Sequence, residues 1–276
     1  MNRGSKARDM DDLDRRARQK IKRRLKRGNM DTRQPPDFII IGAQKGGTTS
    51  LYRYLTEHPD VGGATKKEVH YFDRNFDKGL GWYLAHFPKR DEFEVVGESG
   101  PSYLFHPDVP GRVRELLPEA KLIVLLRNPV DRAYSQYQMR TRRQGEADTF
   151  EGAIAEELEH LRLAGDVARP QSGVHFQMAR GIYVDQLERW LRLFPRQQML
   201  VLQSEPFFAR PEAGLDRALT LLDLPAWRPA QFEIHNPGGV YGEMQPETRQ
   251  RLAAYYAPHS RRLYDLLGTE FAWDEA

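Results

Sequence analysis

Phe38-Ile39-Ile40-Ile41-Gly42-Ala43-Gln44-Lys45-Gly46-Gly47-Thr48-Thr49-Ser50-Leu51-Tyr52 reads as a short apolar strand, a glycine loop and the start of an amphipathic helix. Backbone N–H groups at such a helix N-terminus point outward with the positive end of the helix dipole, so the unit is suited to hold phosphate or sulfate. An ordinary tight strand-to-helix turn is the competing reading, and Lys45 with the three following hydroxyls argues against it. In the familiar nucleotide loop the second glycine is followed at once by Lys and Ser or Thr, and the hydroxyl binds magnesium. Here Lys45 precedes the paired glycines. The apolar run Leu122-Ile123-Val124-Leu125-Leu126 ends in Arg127 rather than in an acid that would hold a metal. A site offering Lys, Arg and hydroxyls suits an anionic donor handled without a divalent ion.

Working outward, strands are expected over 38–41, 93–97, 122–126 and 198–202. Helices are expected over about 48–57, near Trp82, and over 108–117, 130–143, 150–164, 182–193 and 211–222, with a C-terminal helix pair over 246–267. Alternating strands and helices imply an α/β fold, a P-loop-like three-layer sandwich with a central parallel sheet flanked by helices. Tyr183, Leu187, Trp190, Leu191 and Phe194 have core-facing helical spacing, as do Leu252, Tyr255, Tyr256, Leu263 and Leu266. Residues 36–276 read as one domain preceded by a tail at 1–35.

The net charge of +3 conceals an asymmetry. The first 34 residues hold 13 of the 42 Lys and Arg but only 5 of the 39 acids, so the remainder is mildly acidic. That balance argues against a general nucleic-acid surface. Leu13, Ala17, Ile21 and Leu25 recur every four positions in the tail, which fits either a solvated chain or a thin-striped basic helix in weak contact with a membrane surface. With no cysteine there is no disulfide, thiolate metal site or cysteine nucleophile. No stretch approaches the roughly 20 apolar residues of a membrane span, and no signal-peptide core precedes the tail.

Three motifs in order carry a resemblance. Gln44-Lys45-Gly46-Gly47-Thr48-Thr49 is followed by Lys67-Glu68-Val69-His70-Tyr71-Phe72-Asp73 and by Arg127-Asn128-Pro129-Val130-Asp131-Arg132-Ala133-Tyr134-Ser135. From about Pro36 to the C-terminus the chain resembles the sulfotransferases that use 3′-phosphoadenosine 5′-phosphosulfate (PAPS), especially the heparan sulfate type and its soluble bacterial relatives. The resemblance implies sulfuryl transfer to a hydroxyl, or an amine, of a glycan or small-molecule acceptor, with PAP as product and no metal. Golgi members of the family carry a membrane anchor, so a bacterial, cytoplasmic protein is the expectation here. A nucleotide kinase on the same fold core, or a nucleotide-binding regulator acting through the basic tail, are the rival readings.

Candidate residues follow from what such a reaction needs: a grip on both phosphate ends, a base, and positive charge at the leaving oxygen. Gly46, Gly47, Thr48, Thr49 and Ser50 are candidates for the 5′-phosphosulfate, and Lys45 for the leaving oxygen. The resemblance assigns Arg127 and Ser135 to the 3′-phosphate, although Arg127 can also be read as the partner of Asp131. It makes Glu68 the base, with His70 and Asp73 beside it; His70 is the base in other branches. Lys66, Asp73 and Arg74 are candidate acceptor contacts, with Arg140, Arg142 and Arg143 as further basic lining. Two departures stand out. The family commonly has Glu-Lys-Thr-Pro-Ser-Tyr where this chain has Glu98-Ser99-Gly100-Pro101-Ser102-Tyr103. The basic closing loop of the heparan sulfate enzymes is replaced by His235-Asn236-Pro237-Gly238-Gly239-Val240-Tyr241-Gly242, a candidate lid or a plain exposed turn.

Overall fold

The computed structural model describes residues 33–89, 91–144, 149–164, 176–233, 235 and 244–273. The basic tail at 11–27, read as a solvated chain or a thin-striped helix, and the glycine-containing loop at 236–242 lie outside the described residues. Five parallel strands form one sheet in the order β2-β3-β1-β4-β5. They are β1 (Phe38–Gly42), β2 (Val61–Gly63), β3 (Val95–Ser99), β4 (Lys121–Leu126) and β5 (Met199–Gln203). Successive side chains leave a strand on opposite faces, and here both faces are covered, which is why β1 and β4 are near-continuous apolar runs. Ile39, Ile41, Leu122, Val124 and Leu126 enter one core layer. Phe38, Ile40, Ile123 and Leu125 enter the other, against Leu51 and Leu55.

The described α-helices are α1 (Thr48–Thr56), α2 (Tyr71–Arg74), α3 (Gly79–Leu84), α4 (Val109–Leu116), α5 (Pro129–Gln144), α6 (Phe150–Ala164), α7 (Tyr183–Leu191), α8 (Ser204–Ala209), α9 (Pro211–Leu221) and α10 (Pro246–Leu267), with short 3-10 turns at Phe76–Lys78, Ala179–Gly181 and Arg196–Gln198. Tyr183, Leu187, Trp190 and Phe194 are buried as their spacing requires, and so are Leu252, Tyr256 and Leu263. No described helix is long and apolar enough to cross a membrane.

Three expectations are corrected. The strand placed at 93–97 runs two residues later, because pairing of Ile39 with Glu98 and Ile40 with Ser99 draws polar residues into the sheet. The C-terminal pair is one helix of 22 residues that carries Pro258 in its interior. Strand β2 and helix α8 were not expected at all: β2 is a three-residue edge strand, Val61-Gly62-Gly63, too short for any periodicity. The strand order gives the site its place. From β1 the chain passes outward to β2, returns through β3, and then crosses to β4 on the other flank. The crevice at the carboxyl end of β1 is therefore a topological switch point, where ligands of open α/β sheets bind.

Candidate active site

The loop after β1 is built by backbone contacts. The Ala43 N–H donates to Leu125 O at 2.8 Å and the Gly46 N–H to Ala43 O at 2.9 Å. Ser204 at the start of α8 donates its hydroxyl to Gly46 O at 2.7 Å. A Cβ on Gly46 would stand 2.5 Å from Leu125 O, so strand and loop approach as closely as only glycine allows. Lys45 has φ 73° and Gly47 φ 95°, both left-handed. Gly47 precedes α1, which has no side-chain cap and no acid in its first turn. The outward N–H groups of Thr48 and Thr49 are thus left to an anion, while the Ser50 N–H donates to Gly47 O at 3.1 Å. The Ser50 hydroxyl is turned away from the loop, accepting from the His235 N–H at 3.1 Å.

The loop after β2 brings the second motif against α1. Lys67 Nζ donates to Thr49 Oγ1 at 2.7 Å and to Glu68 Oε1 at 3.0 Å. His70 Nε2 lies 3.4 Å from Glu68 Oε2, and His70 Nδ1 lies 3.1 Å from Asp73 Oδ2. Ser102, in the loop after β3, donates to the same Asp73 oxygen at 2.6 Å. His70 takes a left-handed φ of 56° immediately before α2, which aims its ring back between the two carboxylates.

This chain of charges sets the protonation states. Hydrogen bonds to Asp73 first and Glu68 second raise His70 to about 9 against the effect of burial. Burial pushes Glu68 up, but the His70 hydrogen bond and the Lys67 ammonium outweigh it and take the carboxyl down to about 2. Asp73 is likewise lowered: burial is opposed by the hydrogen bonds of His70 and Ser102. At neutral pH the cluster is an imidazolium between two carboxylates.

Arg127 follows β4 on the other side of β1. Its carbonyl accepts from the Tyr183 hydroxyl at 2.9 Å, and its guanidinium makes no hydrogen bond or ion pair with any described residue. Asp131, its candidate structural partner, is taken by Arg249 at 2.7 Å. Ser135 lies on α5, whose start is capped by Asn128 Oδ1 accepting from the Val130 N–H at 3.0 Å, and its hydroxyl also has no described partner. The loops after all five strands therefore converge on the end of β1, bringing together Lys45, Gly46, Gly47, Thr49, Glu68, His70 and Asp73, with Arg127 after the adjacent strand. Lys66 and Arg74 are exposed, and Arg74 Nε is 3.9 Å from Asp73 Oδ2.

Several participants were not singled out by sequence. Lys67 rather than Lys66 is the lysine turned inward. Ser102 and Glu98 stand in the stretch Glu98-Ser99-Gly100-Pro101-Ser102-Tyr103 compared with the family pattern, but neither was given a role. Glu98 is fully buried; it accepts from Tyr83 at 2.5 Å and from Tyr103 at 3.5 Å, and burial raises it to about 8. Tyr103 in turn accepts the Tyr71 N–H at 3.1 Å, which ties that neutral acid to the start of α2. Among the described residues no group of three or more His, Asp or Glu side chains is arranged to hold a metal.

Comparison with known proteins agrees with this geometry. Residues 35–234 match the family model described as the sulfotransferase domain. Human heparan sulfate glucosamine 3-O-sulfotransferase 3B1 is 32% identical over 266 residues, covering 88% of this chain and 66% of the relative. Mouse heparan sulfate glucosamine 3-O-sulfotransferase 6 is 31% identical over 265 residues, covering 88% and 75%. The chain thus spans about two thirds to three quarters of the length of these relatives. Among solved structures, a sulfotransferase from Alicyclobacillus acidocaldarius is similar with a TM-score of 0.75 and 31% identity, covering 87% of this chain and 99% of that one. By motif, sheet order and family match, this chain belongs to the sulfotransferase family.

Proposed function

We propose that this protein transfers the sulfuryl group of PAPS to a hydroxyl of a carbohydrate acceptor and releases PAP. The observation that carries the reading is the Lys67 bridge: one ammonium spans a hydroxyl in the first turn of α1 and the carboxylate of Glu68. An anion at the helix N-terminus and an acceptor beside Glu68 would then meet across a single side chain.

The residues present fit such a donor. The glycine loop leaves no room for a Cβ at Gly46 and offers uncapped N–H groups, while Arg127 and Ser135 hold polar groups without a described partner. PAPS supplies a sulfuryl group on a good phosphate leaving group, together with the 3′-phosphate that distinguishes it from other adenosine phosphates. In this reading Lys45 and the N–H groups of 47–49 bind the 5′ end, and Lys45 stabilises charge on the leaving oxygen. Arg127, with Ser135, holds the 3′-phosphate. Glu68 takes the acceptor proton as the oxygen–sulfur bond forms and the sulfur–oxygen bond to the phosphate breaks. The His70 imidazolium, oriented by Asp73 and Ser102, fixes the Glu68 carboxylate. The names of the heparan sulfate relatives support a sugar hydroxyl as acceptor, and the rival kinase reading loses its support to the family match.

Calorimetric titration with PAP, beside ADP and AMP and with EDTA present, tests the proposal. PAP should bind at micromolar concentration with clear preference over both. Arg127→Ala should lower PAP affinity about ten- to hundredfold, the loss expected for a charge-assisted phosphate contact, and leave AMP binding nearly unchanged. Equal binding of PAP and ADP by the parent protein would refute the reading.

A further inference from the structure

The turn Ala179–Gly181, just before α7, is held with unusual thoroughness. Glu157, 2% exposed, accepts from the Met178 and Ala179 N–H groups, each at 2.8 Å. Gln186 donates to the carbonyls of Ala179, Arg180 and Ile182 at 3.2, 3.1 and 2.9 Å. The Tyr256 hydroxyl donates to Met178 O at 2.9 Å, and the fully buried Arg132 donates to Gln177 O. Four buried polar side chains are thus committed to fixing one short turn. An interior made of polar groups is costly unless each is satisfied, so rigid placement of this backbone is what the arrangement achieves.

The turn carries Arg180. Its guanidinium lies 4.5 Å from the centre of the Phe105 ring, which is itself packed on Phe176 at 5.5 Å. It makes no hydrogen bond or ion pair with any described residue. Burial lowers it to about 10, and the charges of Arg132, Glu157, Arg74 and Asp73 are near enough to act on it. Ser102, whose hydroxyl holds Asp73, lies three residues before Phe105. A half-buried guanidinium without a described partner, held rigidly over an aromatic face on the Asp73 side of the Glu68–His70–Asp73 chain, is suited to receive a planar anion.

Building on the sulfotransferase reading, we propose that Arg180 is a specificity-determining residue that binds an anionic substituent of the acceptor, a carboxylate or a sulfate, and so sets the acceptor hydroxyl against Glu68. Glu68 and Asp73 would otherwise repel such an acceptor, and Arg180 offsets them from a position that no sequence motif marks.

The test uses the full chain saturated with PAP. An oligosaccharide of alternating glucuronate and N-acetylglucosamine is titrated calorimetrically, beside the same oligosaccharide with its carboxylates reduced to hydroxymethyl groups and a version bearing N-sulfates. The parent protein should favour an anionic form by about ten- to hundredfold, and Arg180→Gln should abolish that preference while Arg180→Lys retains part of it. Whichever anionic form is favoured identifies the substituent. PAP affinity should be the same in parent and variants, which also shows that the variants are folded. Equal binding of charged and reduced forms by the parent, binding of none of them, or a preference that survives Arg180→Gln would overturn the proposal. Loss of PAP affinity in Arg180→Gln would overturn it too, by assigning Arg180 to the donor. Failure of the parent protein to bind PAP at all would instead sink the sulfotransferase reading.

Discussion

Asp73→Asn separates the charge of the cluster from its shape. The amide oxygen of the substituted side chain can still accept from the Ser102 hydroxyl, which now donates to Asp73 Oδ2 at 2.6 Å, but the substitution removes the largest cause of the raised His70 value. His70 stands at about 9 against an ordinary 6.5, and each tenfold change is about 1.4 kcal/mol. The whole rise is therefore worth at most about 3.5 kcal/mol, shared between Asp73 and Glu68. Solvent reaches the ring, 18% of which is exposed, so the Asp73 share is set at about 1–2 kcal/mol. The sign is fixed by linkage: a group raised on folding contributes fully below 6.5 and loses its contribution as pH rises through about 9. Glu68, lowered to about 2, runs the other way, with its contribution present above 4.5 and lost as pH falls to about 2. Urea unfolding should therefore show parent and Asp73→Asn differing by about 1–2 kcal/mol at about pH 6 and converging by about pH 10. Imidazole NMR, with a His70→Gln variant to assign the signal among the eight histidines, should show His70 moving from about 9 toward 6.5 in Asp73→Asn. The high-pH limb of kcat/KM should move with it. A parent His70 titrating near 6.5, or one that stays near 9 in the variant, would refute the reasoning.

Two further substitutions probe other parts of the same crevice. In Gly46→Ala the new methyl meets Leu125 O, a backbone atom of a central strand that cannot swing aside; PAP binding should be lost and stability should fall by about 1–3 kcal/mol, measured by calorimetry and urea titration. Glu98→Gln replaces an acid that burial keeps neutral up to about 8. The parent should lose stability relative to this variant as pH rises from 4.5 to about 8, with a constant difference above that, and a pH-independent difference across this range in urea titrations would show that Glu98 is already ionised.

How much of this was legible in sequence depended on how local each feature is. The β1 loop could be read directly, because strand, glycines and helix start are contiguous in sequence, and its own backbone is held chiefly by β4 and by Ser204 at the start of α8. The choice between Arg127 as a phosphate ligand and as the partner of Asp131 could not be made locally, since the residue that occupies Asp131 is Arg249, 118 positions away. Lys66 and Lys67 are neighbours in an irregular segment, where no period says which side chain turns inward; the backbone between β2 and α2 makes that choice. Residues 246–267 read as a helix pair, yet burial of Leu252, Tyr256, Ser260 and Leu263 along one face keeps α10 continuous through Pro258. Arg180 was invisible for the same reason as Arg249: its meaning lies in side chains that hold its turn, three of them distant in sequence, Arg132, Glu157 and Tyr256, and in the absence, among the described residues, of any that pairs with its charge.

Two glutamates near the carboxyl end of one sheet show how environment rather than residue type assigns acid and base. Glu98 has two tyrosine hydroxyls and no described cation in contact, and with its value raised to about 8 it stays neutral near neutral pH. Glu68 has Lys67 on one oxygen and the His70 ring on the other, so it is ionised throughout the physiological range. In the proposed sulfuryl transfer the same geometry favours Glu68 over His70 as the base. An imidazole with a carboxylate on each nitrogen is protonated below about 9, and a protonated ring has no lone pair to offer an incoming hydroxyl. Of the two, only Glu68 presents an oxygen that can receive the acceptor proton while its neighbours hold it in place. The cost is a weak base, lowered to about 2 by the cations that orient it. Lys67 is the partner shared with Thr49, so an anion bound at α1 that drew its ammonium away would leave Glu68 with His70 alone and raise its basicity when the donor is in place.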